Sequence, residues 1–511
     1  MELTRLFDFL AFQLKNSPRE DSLVTKYNGK WHKTSTQEFV NKANAISRGF
    51  LNLGVKKGDK IAIASTNNRT EWNLLDIGLQ QIGCISVPVY PTISEEDYKY
   101  IFNDSEVKFA FVSDEELYKK ISSIKSEVPS LVSIYTFDKV NGAPNLNEIL
   151  DLGSDPANQH EVSAVKKQVK PDDLVTIIYT SGTTGKPKGV MLSHHNILSN
   201  VLGSNPRVPK FPSDKPKALS FLPVCHVFER MLIYLYIYNG IGIYYAESLE
   251  TIGQNLKEVS PDVMTVVPRL VEKVYAKIYE TGANAGGIKT KIFMWALSLI
   301  EDYEPFGKQS FGWKIKHKIA DMLVFKKWRE GVGNNLTCMV SGSASLSPRL
   351  NRMFWGAGIP ILEGYGLTET SPVCTVNSMS KDGFGIGMVG KPIDGVTVKI
   401  AEDGEILIKG PNVMLGYYNA PELTKEVMTE DGYFKTGDIG ELHNGNLKIT
   451  DRKKEIFKTS GGKYIAPQIM ENVMKQSLFI EQIMVLGENE KMPCAFIQPN
   501  FENLSKWAND N

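Results

Sequence analysis

The densest phosphate chemistry in the chain is Thr180-Ser181-Gly182-Thr183-Thr184-Gly185-Lys186-Pro187-Lys188-Gly189, directly after the apolar run Leu174–Tyr179. Three glycines, four hydroxyls and two lysines in ten residues can cradle phosphates through backbone N–H groups, side-chain oxygens and cations. The spacing GxxGKPKG differs from GxxxxGK[ST], and Pro187 follows the first lysine, so this is not a Walker loop. A flexible linker with solvated lysines is the bland alternative, and the position after a buried-type strand argues against it.

Five further segments carry usable groups. Glu363-Gly364-Tyr365-Gly366-Leu367-Thr368-Glu369-Thr370 sets carboxylate, hydroxyls and a flat aromatic on a glycine-loosened loop. Upstream, Ser341-Gly342-Ser343-Ala344 follows an apolar run, a pattern that also makes ordinary turns. Thr436-Gly437-Asp438 precedes Asp451-Arg452, and an aspartate can accept from two hydroxyls at once. His226 lies in LPVCHVFER, where a histidine in apolar surroundings is often only a satisfied core side chain and Glu229-Arg230 an internal ion pair. Ser460-Gly461-Gly462-Lys463 reads as a small turn with a lysine at its tip.

The elements that must position these groups alternate short β-branched runs with helical stretches, which argues for an α/β fold. Strands are expected at Lys60–Ala64, Ile85–Val89, Lys108–Val112, Leu174–Tyr179, Ala218–Phe221 and Asp262–Val267, with helices at Thr36–Leu53 and Ile252–Val259. From about Val396 the pattern becomes antiparallel, with hairpin turns at Glu402-Asp403-Gly404 and Asn444-Gly445. A chain of 511 residues exceeds one hydrophobic core. The expected division is 1–450, large α/β sheets plus a small antiparallel β barrel, followed by 451–511, a smaller α+β unit that reads as incomplete.

TSGTTGKPKG resembles the signature loop of the adenylate-forming superfamily: acyl-CoA synthetases, luciferases and adenylation domains. The other segments follow in the expected order over nearly the whole chain, and LPVCHVFER with DRKKEIFKTSGGKYIAP is closest to the long-chain fatty acid–CoA ligases. The resemblance implies a two-step reaction: fatty acid and ATP give acyl-adenylate and pyrophosphate, then coenzyme A displaces AMP. It implies that Thr180, Ser181, Gly182, Thr183, Thr184 and Lys188 hold the phosphates, with Thr184 and Glu369 on Mg²⁺. Gly342, Ser343 and Ala344 form the adenine wall, and Glu363, Gly364, Tyr365, Gly366 and Thr368 line the nucleotide site, Tyr365 packing on the base. Asp438 takes the ribose, Arg452 the ribose or phosphate, and His226 lies near the acid's carboxylate. Ser460, Gly461, Gly462 and Lys463 line the coenzyme A channel, and Asp451 is the hinge of a mobile terminal unit. Family members carry a catalytic lysine in a GELTPTLKLKR-like segment that nothing after Lys463 matches. Adenylation of another carboxylic acid, or an inert nucleotide- or acyl-binding short form, are the alternatives.

Composition narrows the partners. Basic and acidic residues balance at 58 each, so no global field invites nucleic acid. Five scattered cysteines without a CxxC pair suggest neither zinc nor a disulfide framework, and a cytoplasmic setting fits them. The longest uncharged run, Met231–Ala246, is too short for a span and is broken at Asn239-Gly240, so it reads as a buried helix and a buried strand. Phe311–Glu330 mixes six Lys/Arg with aromatics at helical spacing. Such a helix offers a weak peripheral membrane contact, though more often it buries its apolar stripe and solvates its charges.

Overall fold

The structure is a computed structural model and describes residues 2–180, 186–475, 477 and 479–510. The expected strands form with bounds that move by no more than one residue, for example Val107–Val112 and Leu174–Thr180. They belong to two large sheets. The seven-stranded sheet runs Gly416–Tyr417, Lys188–Ser193, Leu174–Thr180, Ile85–Val89, Lys60–Ala64, Val107–Val112, Ser133–Thr136. Its last five strands are mutually parallel, and Lys60–Ala64 and Ile85–Val89 are buried on both faces, which is why they read as continuous apolar runs. The nine-stranded sheet is parallel from Ile361–Gly366 through Cys338–Ser341, Val263–Val266, Lys217–Ser220 and Gly242–Tyr245 to Leu23–Tyr27.

The helix Val227–Tyr238 joins the two sheets. Its residues Phe228, Met231, Leu232, Leu235 and Tyr236 recur at helical spacing and form one apolar face. Arg230 and Tyr234 leave from another. Arg230 donates to Asp76 Oδ1 at 2.6 Å, Ser86 Oγ at 2.9 Å and Thr176 Oγ1 at 2.8 Å, the last two on the seven-stranded sheet. Glu229 turns instead to Ser220 Oγ, at 2.5 Å, so Glu229 and Arg230 are not the ion pair expected of them. Both ions of the Arg230–Asp76 pair are 1% exposed, and removing one partner of such a pair costs roughly 3–5 kcal/mol.

The antiparallel unit is a curled four-stranded sheet of Thr397–Ile400, Glu405–Lys409, Phe434–His443 and Asn446–Arg452. Bulges at Glu405/Leu407 and Ile439/Gly440 bend it. Its Asn444-Gly445 turn has φ of 51° and 80°, the left-handed pair a tight hairpin requires. Cys374, Ile406, Ile408 and Leu447 form its core. Asp451, 1% exposed, lies inside the last strand, paired with Ile439. Beyond it come the hairpin Phe457–Lys458/Tyr464–Ile465, the helix Pro467–Met474, the hairpin Ile480–Leu486/Cys494–Pro499 and the helix Phe501–Asp510.

Phe311–Ala320 continues through a π-helical turn into Lys326–Gly331. One side is packed, with Val324, Phe325 and Trp328 buried, yet Phe311, Ile315, Ile319 and Met322 form a second apolar ridge that stays exposed. Among the described residues no helix is long and apolar enough to cross a membrane.

Candidate active site

The phosphate-type loop closes an antiparallel hairpin, because Leu174–Thr180 pairs with Lys188–Ser193 and Thr180 sits opposite Lys188. Ser181, Gly182, Thr183 and Thr184 lie outside the described residues. The next strand, Gly416–Tyr417, sets Tyr417 opposite Val190. That register brings the Lys188 ammonium 5.1 Å from the centre of the Tyr417 ring. The Tyr417 hydroxyl donates to Glu369 Oε1 at 2.8 Å. One tyrosine therefore connects the base of the phosphate loop to the carboxylate of the Glu363–Thr370 segment.

That segment is the last parallel strand, Ile361–Gly366, followed by a short turn at Thr368–Thr370. Gly366 is required by close approach: a Cβ there would meet the Pro372 carbonyl oxygen at 1.7 Å. Tyr365 donates its hydroxyl to Asp438 Oδ2 at 2.6 Å, and Arg452 Nε stands 3.8 Å from Asp438 Oδ1. Asp438 and Arg452 face each other across adjacent strands of the antiparallel sheet. Burial raises the Asp438 carboxyl above its ordinary range, against the lowering influence of Tyr365 and Arg452.

A cavity of ≈ 380 Å³ opens between these loops and the Val227–Tyr238 helix. Its polar part is lined by Thr180, Gly342, Ser343, Gly364, Tyr365, Gly366, Thr368, Glu369 and Arg452. Its apolar part is the Phe228, Met231, Leu232, Leu235, Tyr236 face, closed by Val263, Cys338, Val340 and Leu362 of the nine-stranded sheet. His226 lies on the wall and caps the helix, its Nδ1 accepting from the Phe228 N–H at 3.2 Å. Burial lowers its pKa, so the imidazole is neutral at physiological pH.

Glu363 and Ala344, expected at the nucleotide, lie off the cavity wall. Glu363 is buried beneath the loop, where it accepts from Asn351 Nδ2 at 2.7 Å, and burial pushes its carboxyl up to about 7. Its side chain is an anchor for the strand and does not line the cavity. Ala344 is also off the wall. Ser460, Gly461, Gly462 and Lys463 form an exposed turn, held by Gly462 N–H to Thr459 O at 2.9 Å, and none of them lines the cavity.

The AMP-binding enzyme family matches residues 10–418. The chain belongs to that family. It is 34% identical over 490 residues to the long-chain-fatty-acid–CoA ligase FadD15 of Mycobacterium bovis, covering 94% of this chain and 80% of the relative. It is 33% identical to the peroxisomal long chain acyl-CoA synthetase 6 of Arabidopsis thaliana, covering 91% and 68%. Among solved structures, the A domain of carboxylic acid reductase from Segniliparus rugosus, in complex with AMP and a co-purified carboxylic acid, superposes with a TM-score of 0.73. At 22% identity, covering 98% of this chain and 83% of that one, this likeness establishes the fold.

Within this AMP-binding chain, Tyr417 is the residue the motifs do not announce. Only its register against Lys188–Ser193 and its bond to Glu369 mark it. Among the described residues no cluster of three His, Cys, Asp or Glu could hold a metal by itself. A divalent ion carried by nucleotide phosphates needs less, and the Glu369 carboxylate on the cavity wall is a hard-oxygen donor of the kind Mg²⁺ takes alongside waters and phosphates.

Proposed function

We propose that this protein is an AMP-forming long-chain fatty acid–CoA ligase. The observation that carries the reading is the two-part cavity. An apolar slot between the Phe228–Tyr236 helix face and the nine-stranded sheet opens directly onto the Gly364–Glu369 loop and Arg452. The curated long-chain ligases at 33–34% identity supply the substrate class.

In this reading the acyl tail occupies the slot and its carboxylate reaches the polar part near His226. A carboxylate oxygen attacks the α-phosphorus of ATP, the bond to the β-phosphate oxygen breaks, and pyrophosphate leaves. The coenzyme A sulfur then attacks the acyl carbon, the bond to the phosphate oxygen breaks, AMP leaves, and the thiol proton passes to solvent. No protein nucleophile is needed, so positioning and charge neutralisation carry the catalysis. Lys188 and the loop Ser181–Thr184 would neutralise the leaving pyrophosphate. Tyr365, Gly342 and Ser343 would bound the adenine, and Asp438 would accept from the ribose hydroxyls. Mg²⁺, if carried in with ATP on Glu369 and Thr184, would supply further neutralisation of phosphate charge. Neutral His226 would orient the acid without charge repulsion or attraction of its own. The segment 451–511 would be the unit that moves between the two half-reactions, with Asp451 at its hinge and the Ser460–Lys463 turn brought to coenzyme A.

The test is ATP–pyrophosphate exchange and thioester formation over a panel of acids. Acids of about 12–18 carbons should be used with kcat/KM at least 100-fold above acetate or benzoate, since each buried methylene contributes about 0.8 kcal/mol. Equal or better use of an aryl acid or an amino acid would overturn the substrate class.

A further inference from the structure

The reaction cavity is apolar along the helix Val227–Tyr238, but its wall does not stay apolar. It includes Ser204, the last residue of the helix His194–Ser204, and Arg207, the last of the 3₁₀ turn Asn205–Arg207 that continues it. Of the described residues on this wall, these two carry a buried polar side-chain atom without a hydrogen-bond partner, Ser204 Oγ and Arg207 Nε. Buried polar atoms are nearly always paired, so two orphans on one wall point to a ligand group that completes their bonding. Their spacing agrees, because side chains three residues apart eclipse one another in a 3₁₀ turn.

The pair belongs to the end of the slot away from the reacting carboxylate. His226 caps the N-terminal end of Val227–Tyr238. At the other end Asn239 Nδ2 donates to Asn205 Oδ1 at 2.8 Å, which fastens the turn beside the helix C-terminus. Ile241, just past that terminus, is on the same wall. Arg207 Nη2 donates to Pro392 O at 3.1 Å, so one nitrogen of the guanidinium is held and Nε is left for another acceptor. Among the described residues no carboxylate pairs with this cation. The 12 residues of the helix rise about 18 Å at about 1.5 Å each, which bounds the distance between the two ends. An extended hydrocarbon advances about 1.25 Å per carbon, from bonds of about 1.52 Å and near-tetrahedral angles, so about 14 carbons span it.

We propose that the reaction cavity reads the far end of its substrate and takes a long-chain acid bearing a second carboxylate, held by Arg207 and Ser204 while the first carboxylate reacts. This rests on the fatty acid reading above and narrows its substrate class. The guanidinium offers planar donors matched to a carboxylate, and Ser204 adds a hydroxyl donor, whereas a methyl end leaves both unpaired.

The experiment compares hexadecanedioate, dodecanedioate and hexadecanoate in ATP–pyrophosphate exchange, with calorimetric binding of each acid to the full chain as a second readout. In the parent, kcat/KM for the better diacid should at least equal that for hexadecanoate. Arg207→Met should lower the diacid value by about 10- to 100-fold, as for a lost bond to a charged group, and raise the hexadecanoate value because the far wall becomes apolar. Arg207→Gln keeps a neutral donor near Pro392 O and should show the same reversal if the methionine variant does not fold. Ser204→Ala should act on the diacid in the same direction and by less. A parent that uses hexadecanoate but neither binds nor activates either diacid overturns the proposal and leaves the fatty acid reading standing. Equal losses for diacid and hexadecanoate in both Arg207 variants also overturn it, since Arg207 would then only brace Pro392. Use of neither class, with an aryl acid preferred, sinks the fatty acid reading and the proposal with it.

Discussion

The Tyr417 hydroxyl donates to Glu369 Oε1 at 2.8 Å, while the same ring lies under the Lys188 ammonium. A carboxylate that accepts from a fixed phenol keeps one oxygen oriented and leaves the other free for a cation or a phosphate-bound metal. Tyr417→Phe keeps the ring under Lys188 and removes the bond. Hydrogen bonds to charged groups are worth about 1.5–3 kcal/mol, so adenylation should slow by roughly 10- to 100-fold with little loss of thermal stability. An ATP–pyrophosphate exchange rate equal to the parent's would remove Tyr417 from the positioning machinery.

Glu369→Ala should lower the adenylation rate by about 10²–10³, as expected for loss of a preorganised contact to developing phosphate charge. The dependence on Mg²⁺ concentration should shift to higher values, whereas fatty acid binding, measured by fluorescence without nucleotide, should stay near the parent's. If rate and metal dependence were both unaltered, Glu369 would have no metal role.

Asp438→Ala should weaken AMP binding by about 10- to 100-fold, because a two-oxygen acceptor for the ribose is lost. Tyr365→Phe, which frees Asp438 from the 2.6 Å bond but keeps the aromatic plane, should cost less. Calorimetry with AMP distinguishes the two. The reverse ranking would mean that the tyrosine hydroxyl, not the carboxylate, recognises the nucleoside.

Leu235→Trp adds bulk to the apolar wall of the reaction cavity. The chain-length optimum should move to shorter acids, with kcat/KM falling roughly fourfold for each methylene no longer accommodated. An optimum that stays in place would put the acyl tail on some other wall.

Burial pushes the Glu229 carboxyl up to about 7, with bonds from Ser220 and Thr265 opposing the rise. The unfolded chain ionises this group near its ordinary value of about 4.3. Between those values the folded chain holds a proton that the unfolded chain has released, so the group's contribution to stability is full below the lower value and is lost as pH rises through about 7. Glu229→Gln is neutral throughout and should flatten the fall in Tm from about pH 5 to about pH 8, leaving the part due to Glu363, which is raised in the same direction. Parallel Tm–pH curves for parent and variant would mean that Glu229 ionises normally in the fold.

Part of the site was readable before any coordinates. The strands Lys60–Ala64 and Ile85–Val89 match their expected bounds because buried parallel strands leave continuous apolar runs punctuated by turns. The Asn444-Gly445 turn was equally legible, since few residue pairs tolerate two successive left-handed conformations. Thr368, Glu369, Gly342 and His226 line the cavity because each sits where a strand or loop ends at the same edge of the sheet or at the mouth of the adjoining helix.

Other placements depended on contacts between segments far apart in sequence. Glu363 and Glu369 belong to one octapeptide, yet the first turns inward to Asn351 and the second faces the cavity, because alternation along a strand sends neighbours to opposite sides. Glu229 and Arg230 are adjacent and find different partners, Ser220 and Asp76, for the corresponding reason on a helix, where successive residues point about 100° apart.

Local composition and spacing therefore determined which groups this chain can offer to a phosphate, a nucleoside or an acid, since backbone freedom, hydroxyls and charges are properties of the residues themselves. The tertiary structure alone decided that Tyr417 connects Lys188 to Glu369 across 229 and 48 residues of chain respectively. That connection follows from strand register and sheet order, which are set by the packing of the whole core and leave no trace in any single segment.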